Sequence, residues 1–340
     1  MSDVSDASDA RDVSDASRAI RAVVAPPRPP LELVPGHLDK RMTMREAVDK
    51  LIFDGANIAL CAALEQMIPV SVAHEIMRQA KKHLTLIGPV SDIVFDQLIG
   101  AGCADRVIAA WVGNMMMGSA HNFRRAVEDG IPHRIEVIDH SNLTLATALH
   151  AARLGLPFLP TRTVLGSDLA RQAHLMEVRC PFTNERLHAV QAIQPDVAIV
   201  HVQRAEPGGA CHAWGTLGLT VDMALGAQQI LVVAEEVVSE SEIRRDPNRT
   251  LFPGDLVGAV VEEPWGAHPS PVQGFYARDH DAHADYHTST RTREGLLAWL
   301  DEWVYGLPDR AAYCEKLGAE RLQRLRVREH AYAPEIDYGF

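Results

Sequence analysis

From about residue 43 onward, apolar positions recur in two alternating rhythms, one of helical period and one of short buried runs. Thr43-Met44-Arg45-Glu46 has the form of a capping box, and Ala47, Val48, Leu51 and Ile52 follow at helical spacing. Asn57 to Leu60 reads as a buried strand. The spacing then predicts a helix over 70–81, a strand over 84–88, a helix over 91–101 and a strand over 107–111. A helix over 119–129, a strand over 134–138 and a helix over 142–153 ended by Gly155 follow. Strands alternating with helices of this length make βαβ units, so the expected class is α/β, an open and mostly parallel sheet flanked by helices. Beyond this point the pattern is less regular, with strands at 196–202, 229–234 and 257–261 and a helix near 219–226. Helices are expected again at 290–304, 308–316 and 318–325, a C-terminal set beginning at about 290.

No Pro/Gly-rich linker divides residues 41–326, so a single domain over 41–340 is expected. Residues 1–40 differ in kind. SDVSDASDARDVSDAS repeats Ser-Asp-Ala units and APPRPP follows, with too few large apolar residues to pack, which reads as a disordered low-complexity leader.

Composition narrows the partners. The chain of 340 residues is 47% hydrophobic, enough for a sizeable core, and carries a formal net charge of −12 with a pI near 5.7. Nucleic-acid binding needs clustered Lys and Arg, so nucleic acid is not expected as a partner. No apolar run reaches the ~18 residues of a membrane span, and the acidic N-terminus has no secretory h-region. Cys61, Cys103, Cys180, Cys211 and Cys314 are scattered and odd in number, which fits a reduced, cytoplasmic protein better than a disulfide framework.

The usual phosphate cradles, G-x-G-x-x-G after a strand and the Walker A sequence, do not occur, nor does the G-x-S-x-G nucleophile elbow. Candidate chemistry therefore has to be sought on the loops after strands, where α/β proteins place their sites. The stretch DGANIALCAALEQMIP (54–69) puts a lone acid, Glu65, on such a loop. Glu65 is a candidate general base, or simply an acid near a helix start favoured by the helix dipole. Gly88-Pro89-Val90-Ser91 and Asn114-Met115-Met116-Met117-Gly118-Ser119 are comparable strand-to-helix loops at the same edge. The methionines are either core filler or the lining of an adaptable apolar pocket for a bulkier, more apolar acyl group. Gly118 and the N–H groups of the following helix would suit a carboxylate. His268, in PWGAHPSP (264–271), is either a donor to an anion or a residue of a turn satisfied by backbone. His280, His283 and His287 with Asp279, Asp281 and Asp285 offer metal-type donors, but the segment lacks apolar periodicity and reads as a solvated polar connection. The mixed charges of 239–247 read as a self-paired surface, with an interface as the alternative.

Several blocks together resemble the α subunit of family I CoA-transferases, in particular the glutaconate CoA-transferase type. They are AARLGLPFLPTRTVLGSDL (151–169), PDVAIVHVQRAEPGG (195–209), SESEIRRDP (239–247) with PG at 253–254, PWGAHPSP (264–271), EWVYGLP (302–308) and KLGAERL (316–322). They keep the family's order and cover essentially residues 41–326. The family's α-subunit signature frame is also kept: Asp54-Gly55, then Ile58-Ala59-Leu60, then Pro69. Its Gly-Gly-Phe is replaced by Cys61-Ala62-Ala63 and its later Gly by Met67. Gly permits positive φ and close ligand approach, so a loop of different shape is expected.

The resemblance implies a covalent, ping-pong reaction in which a glutamate attacks an acyl-CoA thioester, CoA thiolate opens the anhydride, and a second acid collects CoA from the glutamyl thioester. Family members carry that glutamate on a β subunit, in a Ser-Glu-Asn-Gly stretch that this chain lacks. The resemblance thus implies an α2β2 assembly, a CoA thioester as substrate and no permanently bound cofactor, and it assigns Glu65 no role. The substrate-binding candidates, read from the strand-end loops, are Cys61, Ala62, Ala63, Glu65, Gly88, Ser91, Asn114, Met117, Gly118, Ser119 and His268. Two alternatives keep the fold: one of the chains of an acyl-CoA hydrolase that opens a cyclic substrate, as in steroid-ring breakdown, and a non-catalytic ligand-binding scaffold.

Overall fold

A computed structural model describes residues 35, 37–62, 65–90, 92–115, 117–172 and 174–327. Most of the leader, the last residues of the chain, and Ala63, Ser91 and Met116 lie outside the described residues. The capping box is formed. Thr43 Oγ1 accepts from Glu46 N and Glu46 Oε2 accepts from Thr43 N, starting helix α1 (Met44–Leu51). Its buried face is Met44, Ala47, Val48 and Leu51, the helical stripe read from the sequence.

The central strands are β1 (Asn57–Cys61), β2 (Leu84–Ile87), β3 (Ala104–Ala109), β4 (Glu136–Asp139), β5 (Val197–Ala205), β6 (Gln229–Val237) and β7 (Val257–Glu262). They pair in the order β7-β6-β5-β1-β2-β3-β4, and every one of these pairings is parallel. A short antiparallel piece, Cys211–His212, adds to β5. Strand order reverses between β1 and β5, and such a switch point leaves a crevice beyond the carboxyl ends of the strands.

Side chains alternate along the strands between two cores. Ile58, Leu60, Leu84, Leu86, Val107, Ile199, Leu231 and Val233 face one layer of helices. That layer holds α1, α2 (Val70–Arg78), α3 (Asp92–Gly100) and α4 (His121–Glu128). Ala59, Cys61, Ile87, Ile108, Val200, Val202, Ile230 and Val232 face the other, which holds α5 (Asn142–Arg153) and α6 (Thr220–Gly226). A strand buried on both faces reads as a continuous apolar run, which is why 57–60, 107–111 and 196–202 were legible.

Three regions differ from the sequence expectation. Residues 156–194 form an antiparallel sheet of Phe158–Thr161, Arg186–Gln191 and Leu175–Arg179, in that order. Its strands are largely exposed, so they lack the apolar runs that mark the central sheet. The charged segment 239–247 holds a short capped helix, α7 (Glu240–Arg245), with Ser239 and Glu242 forming the box. The expected polar connection at 278–287 is instead mostly helix α8 (His280–Ser289), capped by Asp279. It was misread because its buried face presents His283 and Tyr286 in place of aliphatic residues. Helix α9 (Arg293–Leu300) ends in a π turn over Asp301–Tyr305, and α10 (Arg310–Leu317) and α11 (Ala319–Leu325) complete the C-terminal set. Among the described residues no helix is long and apolar enough to cross a membrane.

Candidate functional site

The loops after β1, β2, β3 and β7 converge at the carboxyl edge of the sheet. Cys61 closes β1 with its side chain in the core, where burial pushes the thiol far above its usual range, so it is no nucleophile. Ala62 is buried beside it. Met67 has φ 53, in the left-handed region where an L side chain is strained. The glycine of the family frame thus corresponds to a real backbone demand. Here a methionine meets it and buries its side chain among Trp265, Ala267, Val272 and Tyr276. That burial stabilises by about 1.5–3 kcal/mol, enough to offset a strained backbone.

The Glu65 loop is laced to PWGAHPSP. Ser270 Oγ donates to Glu65 O (2.5 Å) and accepts from Ile68 N, while Met67 N donates to Pro271 O. PWGAHPSP is itself clamped from below. Arg310 on α10 donates to the Trp265 and His268 carbonyls, and Glu235 at the end of β6 accepts from Trp265 N (2.7 Å), Tyr276 OH (2.5 Å) and His201 Nε2 (2.8 Å).

Glu65 does not stand alone. Its Oε2 lies 2.9 Å from Nη1 of Arg278, and the same nitrogen lies 2.9 Å from Asp92 Oδ2. Asp92 begins α3 with φ 47 and is fully buried. Burial works against its charge, but His283 Nε2 at 3.2 Å, Arg278 and a bond from Met115 N more than offset this and lower its pKa. Asn114 Nδ2 donates to the His283 carbonyl, joining the loop after β3 to the same cluster. Gly88, buried at the end of β2, donates to the Ile108 carbonyl. Met117, Gly118 and Ser119 are exposed, the last two in a two-residue hairpin with Gly113–Asn114.

Two expected anion donors are already occupied. His268 is fully buried. Burial lowers its pKa to about 4, so the ring is neutral, with Nε2 donating to Asp279 and Nδ1 accepting from Tyr313 OH. The N–H groups at the start of α4 point at Asp96, whose Oδ1 accepts from Asn122 N and Phe123 N at 2.8 Å each. A protein carboxylate takes the place that the sequence suggested for a ligand. The histidine-rich segment gathers no metal-type cluster among the described residues.

Sequence reasoning missed Arg278 and Asp92, and left His283 in a solvated connection instead of beside them. A usable signal was present: DIVFD (92–96) sets two acids one turn apart in a helix otherwise apolar but for Gln97, and buried carboxylates need cationic or N–H partners elsewhere in the chain.

Glu263, after β7, adds a pH dependence. Burial raises its pKa to about 7 against the pull of Arg310 and Arg78. The folded chain therefore keeps a proton there that the unfolded chain has lost. This stability is full below about pH 4.5 and is lost as pH rises through about 7. Glu263→Gln should abolish a decline on the order of 2 kcal/mol between pH 5 and 8, read from urea unfolding of both proteins at each pH.

With this geometry in place, comparison with known proteins is direct. The profile of the Coenzyme A transferase family matches residues 41–263. The chain belongs to this family. It is 38% identical over 277 residues to the α subunit of 3-oxoadipate CoA-transferase from Pseudomonas knackmussii, covering 81% of this chain and 97% of that one. It is 36% identical over 308 residues to the α subunit of glutaconate CoA-transferase from Acidaminococcus fermentans, covering 85% and 95%. The crystal structure of that glutaconate CoA-transferase superposes with a TM-score of 0.81 at 34% identity, covering 85% of this chain and 96% of that one. A more distant relative, the IpdA chain of the cholesterol ring-cleaving hydrolase from Rhodococcus jostii, is 27% identical over 289 residues, 80% of this chain and 94% of that one. The family's fold, a mostly parallel sheet with C-terminal helices, is the fold observed here.

Proposed function

We propose that this chain is the α subunit of a two-subunit CoA-transferase, which passes CoA from an acyl-CoA to a carboxylic acid. The observation that carries the reading is the near-complete match to the α subunit of the 3-oxoadipate enzyme, 97% of its length at 38% identity. In the family's reaction the nucleophilic glutamate attacks the thioester carbonyl and CoA thiolate leaves. The thiolate then opens the anhydride, releasing the acyl group as its acid. The glutamate would come from a β partner. This chain would supply the wall of the acyl pocket at the sheet's switch point, where its loops are locked by Ser270, Arg310 and Glu235. Five cysteines without a disulfide suit the cytoplasm.

The hydrolase reading has one observation in its favour, the 27% identity to a chain of a ring-cleaving hydrolase. It needs Glu65 as base to water. Glu65, however, is held by the Arg278 guanidinium at 2.9 Å and would have to leave that ion pair to take a proton from water.

Co-expression with a β subunit of this family should give a complex that moves labelled CoA between two acids. Release of CoA to water with no acceptor labelled would overturn transfer. Loss of that release by more than about 10²-fold in Glu65→Gln would assign Glu65 as the base.

A further inference from the structure

Arg278 is under-used for a buried cation. Its side chain is 6% exposed, and its Nη1 alone serves both Glu65 and Asp92. Nε and Nη2 are shielded from water and have no hydrogen-bond partner among the described residues. Buried donors are nearly always paired, so two unpaired ones on a single guanidinium call for a partner. The Nε–Nη2 edge of a guanidinium carries two parallel N–H groups at the spacing of a carboxylate's oxygens.

We propose that Arg278 is a carboxylate seat. It receives the free carboxylate of a dicarboxylic acyl group, and Glu65 holds the cation while the seat is empty. The two carboxylates already present differ in kind. Asp92 is fixed, fully buried and bonded by His283, Met115 N and Arg278. The Glu65 side chain is 36% exposed, and Arg278 is the one partner of its carboxylate among the described residues. A third carboxylate on one guanidinium would be repelled by the two in place. The incoming group therefore replaces Glu65, which turns to water, and the charge of the cluster is unchanged.

A monocarboxylic acyl chain brings no such group, so it neither fills the Nε–Nη2 edge nor displaces Glu65. The seat thus selects diacids. This replaces the expectation of an apolar acyl group drawn from Met115 and Met117, which lie at the surface, each about 40% exposed. The two transferase relatives are themselves named for diacids.

The inference rests on the transferase reading for its kinetics but not for its binding arm. The full chain, co-expressed with its β partner, is assayed with adipate and hexanoate as CoA acceptors and titrated calorimetrically with adipoyl-CoA and hexanoyl-CoA, of which only the first carries a free carboxylate on its acyl group. Adipate should be preferred by on the order of 100-fold in kcat/KM. Arg278→Met should bring that ratio near one, mainly through KM, and Arg278→Lys should restore part of it. Because Arg278→Met leaves Asp92 buried without its cation and could prevent folding, Glu65→Gln is measured as well. Freed from competition, it should bind adipoyl-CoA about 3–10-fold more tightly and leave hexanoyl-CoA unchanged. Transfer of CoA with no preference for adipate, or a Glu65→Gln complex that binds adipoyl-CoA no better, overturns the seat. If no CoA moves at all, transfer fails as a reading while the calorimetric comparison still decides the seat.

Discussion

Replacing Glu235 by Ala should lower the unfolding free energy by on the order of 3–5 kcal/mol, a third or more of what a domain this size typically has. Glu235 is buried at the end of β6 and accepts three bonds, from His201 on β5, the backbone N–H of Trp265 and the hydroxyl of Tyr276. Alanine leaves all three donors facing a dry cavity. A buried donor without an acceptor costs about 1–3 kcal/mol, so the losses compound. Trp265 has φ 65 and keeps this conformation only while its surroundings hold it. Glu235→Gln should lose less, because its carbonyl oxygen can keep the Trp265 N–H while its amide opposes one of the other donors. Urea unfolding followed by tryptophan fluorescence reads both variants. A loss under about 1 kcal/mol for the alanine variant would show that the loop is held by Arg310 alone. The functional consequence follows from connectivity, since Trp265 leads to Ser270 and Ser270 holds the Glu65 loop.

This network shows where the sequence was informative and where it was not. Strands buried on both faces, such as 229–234, announce themselves by composition, and the α/β class follows from their alternation with helices. What the pattern hides is a polar residue inside such an element. Glu235 lies just past the apolar run and His201 within one, and neither type nor spacing says that they meet across β5 and β6 at 2.8 Å. The same limit misplaced α8, where His283 and Tyr286 do the burying that aliphatic residues do elsewhere. Glu65 was found because it sits alone after a strand; its partner Arg278 is 213 residues away, and no local signal pairs them. Family resemblance located the frame of the first loop and its missing glycines. Only the backbone showed that Met67 still occupies a glycine-like conformation, and that its side chain is turned inward among Trp265, Ala267, Val272 and Tyr276.

Asp96→Ala should be at least as damaging, on the order of 4 kcal/mol, because this buried carboxylate accepts four hydrogen bonds. Oδ1 takes Asn122 N and Phe123 N at 2.8 Å, capping α4, and Oδ2 takes Asn122 Nδ2 at 2.6 Å and Tyr286 OH at 2.7 Å. One side chain on α3 thereby fixes the start of α4 and the middle of α8. Asp96→Asn separates charge from shape. Its oxygen can still cap α4, but its amide meets the amide nitrogen of Asn122, which cannot simply flip because its own oxygen accepts from Arg125. Tyr286 can rotate to accept, so the asparagine variant should lose about half as much. Tyr286→Phe removes one donor and should lose only about 1 kcal/mol. If Asp96→Ala fell no further than Tyr286→Phe, the capping bonds to α4 would contribute nothing net and water would be replacing them. The ranking also bears on the site. Helix α8 carries His283, and His283 bonds Asp92 beside Arg278, so loosening α8 at Tyr286 should weaken adipoyl-CoA binding before the protein unfolds. A fall in adipoyl-CoA affinity in Asp96→Asn at a temperature where it is fully folded is the expected sign of that connection.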